Sequence, residues 1–239
     1  TQLSMSLGSG VVSLQKITNA YAIIANGGKK ISPKIISTIY SKEGELIYSS
    51  NNRKCLDCKL DTLKEINKIP NIISNDESVI DSKIAYQITS MMEGVIKRGT
   101  ARRLKKLNVP IAGKTGTTNQ NKDAWFIGYT PNLVIGVYVG YDKPRSLGFK
   151  QTGSSVAVPI FEKFAEKIKI NSNNIPFRVP SGMSFVKIDP NSGLPSNKES
   201  SILEPYIFGT EPYNKNIYII DNLSNMKNNT ISGTGALIE

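Results

Sequence analysis

The chain has 239 residues, 39% of them apolar and 21% charged, with a net charge of +11 and no histidine. That length allows one large domain or two small ones, and the balance is that of an ordinary globular protein rather than a disordered or fibrous one. Without histidine neither Ser-His-Asp nor Cys-His chemistry is available, so any acyl transfer must use a lysine to move protons.

Leu14, Ile17, Tyr21 and Ile24 recur at helical spacing and predict an amphipathic helix over 13–26, stopped by Gly27-Gly28. Residues 34–40 and 45–48 read as a hairpin turning at Ser41-Lys42-Glu43-Gly44. The stretch 49–80 is polar and weakly periodic and reads as a long loop. A second helix is expected over 82–97, where Ile84, Ile88, Met91, Met92 and Val95 share a face, with Gly99 ending it. Three strands follow, at 109–118, 124–129 and 133–141, the last two joined around Thr130-Pro131-Asn132. They are expected to be consecutive antiparallel neighbours. Both faces of the 124–141 hairpin are apolar or small, so both should be covered, and Ala124, Gly128, Gly136 and Gly140 should admit close approach. A third helix, 158–170, carries Ile160, Phe161, Phe164, Ala165 and Ile168 and should pack across the strands. Beyond Ile170 the chain turns polar and rich in Pro and Asn. One short strand is expected at 184–189, then a turn at 189–193, then a tail with little periodicity that frays near 228–239.

The positive charge suits an acidic partner. The densest basic cluster, Arg98, Arg102, Arg103, Lys105 and Lys106, has no interleaved aromatics, which argues against nucleic acid and favours a solvated helix end. Cys55 and Cys58 form a single C-x-x-C in a polar loop. Two thiols without histidine fall short of the four ligands of a structural zinc site, so no metal is expected and the pair reads as a loop staple or two idle thiols. No run approaches the roughly 18 apolar residues of a membrane span. The chain opens on Thr1 without a signal peptide, so it reads as a fragment whose anchor or export signal would belong to upstream sequence.

The most informative stretch is Gly113-Lys114-Thr115-Gly116-Thr117-Thr118. Alone it is an exposed lysine beside two β-favouring threonines. It stands, however, in an ordered series: Arg98-Gly99-Thr100-Ala101, then 112–119, then Asp123-Ala124-Trp125-Phe126-Ile127-Gly128-Tyr129-Thr130-Pro131, with 3–28 upstream and 137–147, Gln151-Thr152-Gly153 and the Phe161 helix downstream. Over nearly all of residues 1–170 this series resembles the transpeptidase domain of bifunctional, class A penicillin-binding proteins of the 1A type.

The resemblance implies an α+β fold, an antiparallel sheet flanked by helices of the penicillin-binding and serine β-lactamase-like kind. Residues 1–170 would be the C-terminal portion of a transpeptidase domain and 171–239 an irregular C-terminal extension. It implies peptidoglycan D,D-transpeptidation: a serine attacks the penultimate carbonyl of a stem peptide ending in D-alanyl-D-alanine, the terminal residue leaves, and a second stem's amine resolves the acyl-enzyme. β-Lactams mimic the dipeptide and trap the serine. Such a substrate ends in a carboxylate, and a basic surface suits it. Lys114 would supply the fixed charge and bias the proton of a Ser-x-Asn serine, Thr115 and Thr117 would offer hydroxyls, and Gly116 would let backbone come close. The Thr117 N–H would be one oxyanion donor and the catalytic serine's N–H the other. Trp125 and Phe126 read as core of the sheet rather than a stacking platform.

The family's Ser-x-x-Lys and Ser-x-Asn motifs precede the segment matching residues 3–28. Within this chain Ser13-Leu14-Gln15-Lys16 and Ser184-Phe185-Val186-Lys187 fit the first pattern, and Ser49-Ser50-Asn51 and Ser172-Asn173-Asn174 the second. Ser13 reads as a helix cap, Ser184 comes after Lys114, and the triplets fall in Asn-rich loops. The nucleophile is therefore expected outside the chain, which would be a substrate-binding half-site. The expected partners are peptidoglycan stem peptides, β-lactams in the complete enzyme and the upstream half of the domain. No cofactor is implied. Location would be periplasmic, with an inner-membrane anchor in the full-length parent. The rival readings are a non-catalytic fragment that binds its other half or a cell-wall partner, and a serine β-lactamase. The long tail and the Arg-Gly-Thr-Ala segment oppose the β-lactamase.

Overall fold

In the computed structural model, which describes residues 10–51, 54–55, 72–73, 77–170 and 174–213, helix α1 runs Leu14–Ala25. Ser13 is its N-cap, with Oγ accepting from Lys16 N–H at 3.3 Å. Gly28, at φ +87°, ends it against residue 80: a Cβ there would lie 2.0 Å from Ile80 O. Strands β1 (Thr38–Tyr40) and β2 (Leu46–Ser49) form the expected hairpin, shorter at its start than the pattern suggested. The expected loop at 49–80 is not strand-free, because β3 (Lys54–Cys55) pairs antiparallel with β4 (Ile72–Ile73). Cys58 lies outside the described residues, and with it the expected staple.

Helix α2 (Ser82–Lys97) has the predicted limits and is capped by Asp81, whose Oδ1 accepts from Lys83 N–H at 2.8 Å. Its C-cap is Arg98 rather than a left-handed glycine. Gly99 matters for space: a Cβ there would sit 2.8 Å from Val95 Cα. A 3-10 turn over Arg102–Leu107 leads to the left-handed Asn108 and into the central sheet.

That sheet has the order β5 (Ala112–Thr117), β6 (Asp123–Tyr129), β7 (Val134–Gly140), all antiparallel neighbours in chain order. The register places Thr115 beside Phe126 and Val137, and Gly116 beside Trp125 and Tyr138. Because side chains alternate, Gly113, Thr115 and Thr117 share one face with Phe126 and Val137. Ala112, Lys114 and Gly116 share the other with Tyr129 and Trp125.

The first face is covered by a π-helical turn, Gly153–Ala157, and the helix it feeds, α3 (Val158–Lys167). Phe126, Val137, Ala157, Val158, Phe161 and Ala165 form a core there with Ile96, Leu104 and Leu107. Phe126 and Phe161 meet edge to face at 4.9 Å, and Gly128 makes room, since a Cβ would come within 2.8 Å of the Phe161 ring. The second face receives α1 and α2. Gly136 admits α1, a Cβ there lying 2.1 Å from Thr18 Oγ1. Tyr129 is fully buried between Tyr21 and Phe177, with its hydroxyl 2.9 Å from Thr89 Oγ1.

The segment after residue 170 holds two strands rather than one. β8 (Met183–Ile188) pairs along its length with β9 (Ile202–Ile207). Pro205 and the lack of alternation hid β9 in the sequence. The turn between them is stapled by Asp189 Oδ1, which accepts from Asn191 and Ser192 N–H. β9 lies along α2: Gln87 Nε2 donates to Pro205 O at 3.1 Å, Ser90 Oγ donates to Glu204, and Arg98 pairs with Glu204. Residues 214–239 lie outside the described residues.

Candidate active site

The site is built on β5, an edge strand that pairs only with β6 among the described residues. Thr118 N–H donates to Asp123 O at 3.2 Å across the end of this pair. Hydrogen-bonded pairs alternate in an antiparallel ladder. Residues 112, 114, 116 and 118 therefore turn their backbone groups to β6, and Thr115 and Thr117 direct theirs to the open edge. The strand thus presents two N–H donors and two carbonyls where an extended ligand could lie alongside it.

Side chains converge on the same edge. Lys114 is exposed and its Nζ donates to Thr115 O at 2.9 Å, so the ammonium curls from the second face onto the open side. Thr117 Oγ1 accepts from Gly153 N–H at 3.0 Å. A backbone N–H can only donate, so the Thr117 hydroxyl keeps its own proton free to donate outward. Thr115 Oγ1 lies 2.7 Å from Thr100 Oγ1. Thr100 in turn accepts Ser154 Oγ at its carbonyl, at 2.5 Å. Gly153, Thr100 and Ser154 therefore belong to the surroundings of the Lys-Thr-Gly strand. The sequence placed Thr100 and Gly153 within matching segments, but spacing alone gave them no partner.

Gly116 has two roles in packing. A Cβ on it would press to 3.1 Å from Trp125 Cβ, and Gly153 packs on its backbone from the first face. Of the two aromatics expected in the core, Phe126 is fully buried. Trp125 is only half-buried; it lies on the Lys114 face, 4.5 Å from the ring of Tyr138.

The basic cluster is not simply a solvated helix end. Arg103 and Lys106, on the 3-10 turn, both pair with Glu162 of α3, whose side chain is 1% exposed, and Lys106 also reaches Glu166 at 3.2 Å. Burial pushes the Glu162 carboxyl up, but Lys106 and Arg103 outweigh burial and hold it below the ordinary carboxylate value. These ion pairs lock the turn before β5 to the helix after Gly153, so both flanks of the site are tied together.

The decoy serines stay apart from this site. Ser13 caps α1, Ser184 Oγ donates to Glu211, and Ser49 Oγ accepts from Asn51 N–H in the hairpin. Ser172-Asn173 falls outside the described residues. Ser154 Oγ borders the site through Thr100, and its proton goes to the Thr100 carbonyl rather than to a lysine. Among the described residues no group of His, Cys, Asp and Glu could hold a metal.

A sequence model of the penicillin binding protein transpeptidase domain matches residues 1–166. The chain belongs to this family. Penicillin-binding protein 1A of Rickettsia typhi is 42% identical over 224 residues, covering 92% of this chain and 28% of that protein. Its counterpart in Rickettsia bellii is 46% identical over 193 residues, covering 80% of this chain and 24% of that protein. The crystal structure of Penicillin-Binding Protein 1A from Haemophilus influenzae superposes with a TM-score of 0.72 at 28% identity, over 87% of this chain and 34% of that one. The penicillin-binding protein PonA1 from Mycobacterium tuberculosis shares the fold at a TM-score of 0.57 and 23% identity, over 75% of this chain and 44% of that one. The chain thus spans about a quarter of the length of the curated penicillin-binding proteins 1A it matches, and within the family its α+β architecture is that of the transpeptidase domain.

Proposed function

We propose that this chain forms the substrate side of a peptidoglycan D,D-transpeptidase. Lys114 supplies the positive charge beside a stem-peptide carboxylate, Thr115 and Thr117 donate hydroxyl protons to it, and the Thr117 N–H serves as one oxyanion donor. The serine nucleophile and its lysine come from sequence outside residues 1–239. One observation carries the reading: an edge strand whose Thr117 hydroxyl is freed to donate by Gly153 N–H, next to a lysine curled onto that same open edge. An extended acyl donor ending in a carboxylate can lie along this edge, accept from the hydroxyls and place its carbonyl oxygen at a backbone N–H.

The remaining parts of the reading follow from this one. β-Lactams carry a carboxylate next to a reactive carbonyl and would occupy the same edge. Residues 1–170 act as part of the transpeptidase domain and 171–239 as a C-terminal extension, whose β8–β9 hairpin is braced on α2. Apolar side chains left exposed on α2 and α3, Met91 at 65%, Phe164 at 47% and Ile160 at 46%, suit packing by the rest of that domain. Among the described residues no helix is long and apolar enough to cross a membrane. The periplasmic setting and inner-membrane anchor are those of the longer protein.

The test is the rate of acylation by a fluorescent penicillin in the complete enzyme. Lys114→Ala should slow it by roughly 10²-fold, the scale of losing one preorganised electrostatic contact to the transition state. An unchanged rate would remove Lys114 from the site.

A further inference from the structure

The two threonine hydroxyls of the site are oriented by different means. That of Thr117 is set by backbone, because Gly153 N–H can only donate to it. That of Thr115 faces another hydroxyl, Thr100 Oγ1 at 2.7 Å, and either could hold the shared proton. If Thr115 gave its proton to Thr100, it would turn lone pairs toward the open edge and repel an anion. If Thr100 gives its proton instead, Thr115 keeps a free O–H for a ligand.

Thr100 is well placed to do this. It stands between Gly99, which is pressed against Val95 of α2, and Ala101, which is fully buried and donates its N–H to Val95 O at 3.1 Å. Its carbonyl is held by Ser154 Oγ at 2.5 Å. The backbone is thus fixed on both sides, and the side chain has Thr115 Oγ1 as its partner.

We propose that Thr100 is a positioning residue that donates its hydroxyl proton to Thr115 Oγ1 and thereby fixes Thr115 as a donor to the carboxylate of the acyl donor. This rests on the substrate-side reading above. A carboxylate accepts only, so it rewards this proton order, and a chain of donors ending on an anion is stronger than its separate links. Ser154, through the Thr100 carbonyl, steadies the start of the relay.

The experiment measures second-order acylation rates with a carboxylate-bearing penicillin in the complete enzyme, with melting temperatures alongside. Thr100→Val, which keeps the shape and removes the hydroxyl, should lower the rate about tenfold, the scale of one hydrogen bond to a charged ligand. Thr100→Ser should restore it to within about twofold. Thr115→Val should fall by a similar factor, and the double variant should be no slower than about twofold below either single one, since the two hydroxyls act as one unit. Full rate in Thr100→Val, no rescue by Thr100→Ser, or a loss in the double variant equal to the product of the single losses would each overturn the proposal while leaving the substrate side intact. A rate unchanged by Thr115→Val would instead overturn the substrate-side reading and this relay with it. A loss that follows melting temperature in every variant, Thr100→Ser included, would show packing rather than proton order and would also overturn it.

Discussion

Gly153 and Thr117 meet at the start of the π-helical turn that leads into α3. The Gly153 N–H donates to Thr117 Oγ1 at 3.0 Å, and a Cβ on Gly153 would lie 2.4 Å from Trp125 O and 2.6 Å from Gly116 O. The close approach and the hydrogen bond need each other. Only a residue without a side chain brings this N–H near enough to set the Thr117 hydroxyl as an outward donor.

Gly153→Ala should therefore act on the site rather than only on stability. The added methyl forces the π-helical turn away from β5 and β6, an overpacking worth about 1–3 kcal/mol. Amide hydrogen exchange should speed up at residues 115–117 and 153–157, and acylation in the complete enzyme should fall even where the protein remains folded. Unchanged exchange at Thr117 would show that the strand does not depend on this contact.

Glu162 gives the fold an acid-sensitive joint. Its carboxyl is held below its ordinary value in the folded state, so the folded protein binds fewer protons than the unfolded one in the acidic range. The stability this confers is fully present above the ordinary carboxylate value near 4.5 and is lost as pH falls through the lowered one. Glu162→Gln should cost about 1–3 kcal/mol at neutral pH, and the difference from the unmodified protein should shrink in urea titrations carried below pH 4. A difference that stays constant with pH would mean the ion pairs contribute nothing.

Tyr129 should show the opposite dependence. Burial raises its phenol well above 10.0, more than the Thr89 hydrogen bond lowers it. The folded state keeps the proton while the unfolded chain loses it above pH 10, so stability falls there. Tyr129→Phe should cost about 1 kcal/mol at neutral pH through the lost bond to Thr89, and should remove part of the decline above pH 10 in chemical denaturation. An unchanged alkaline slope would count against a buried neutral phenol.

Glu204 joins the β8–β9 hairpin to α2 through Ser90 and Arg98. Glu204→Ala should raise protease cleavage within 183–207 severalfold and leave α2 and the central sheet protected. Equal cleavage rates would mean that the Pro205 contact and apolar packing hold the hairpin unaided.

The helices and central strands were legible because their periods are strong and local. α2 has its predicted limits, β5 and β7 fall inside the predicted ranges and β6 starts one residue before its own, because alternating or helical apolar spacing over six or more residues leaves little choice of element. β9 was not legible, since Pro205 and Glu204 break the alternation and the strand is held by side chains of α2 more than 100 residues earlier in the chain. Likewise Gly99 reads as a helix stop in sequence, whereas in space it is a contact with Val95.

By itself the sequence determined the chemistry available. The absence of histidine excludes Ser-His-Asp and Cys-His chemistry, and one Lys-Thr-Gly with its ordered neighbours points to one family, because residue types and short spacings are properties of the chain alone. The tertiary structure decided which atoms meet: that β5 pairs only with β6 among the described residues, that Thr117 receives Gly153 N–H, that Thr100 faces Thr115, and that Arg103 and Lys106, though half exposed, both pair with Glu162. The last three depend on closing loops of 15 to 59 residues, and no local pattern records such a closure. Its entropic cost is met by the packing of the whole core, and only the folded chain brings the partners into register.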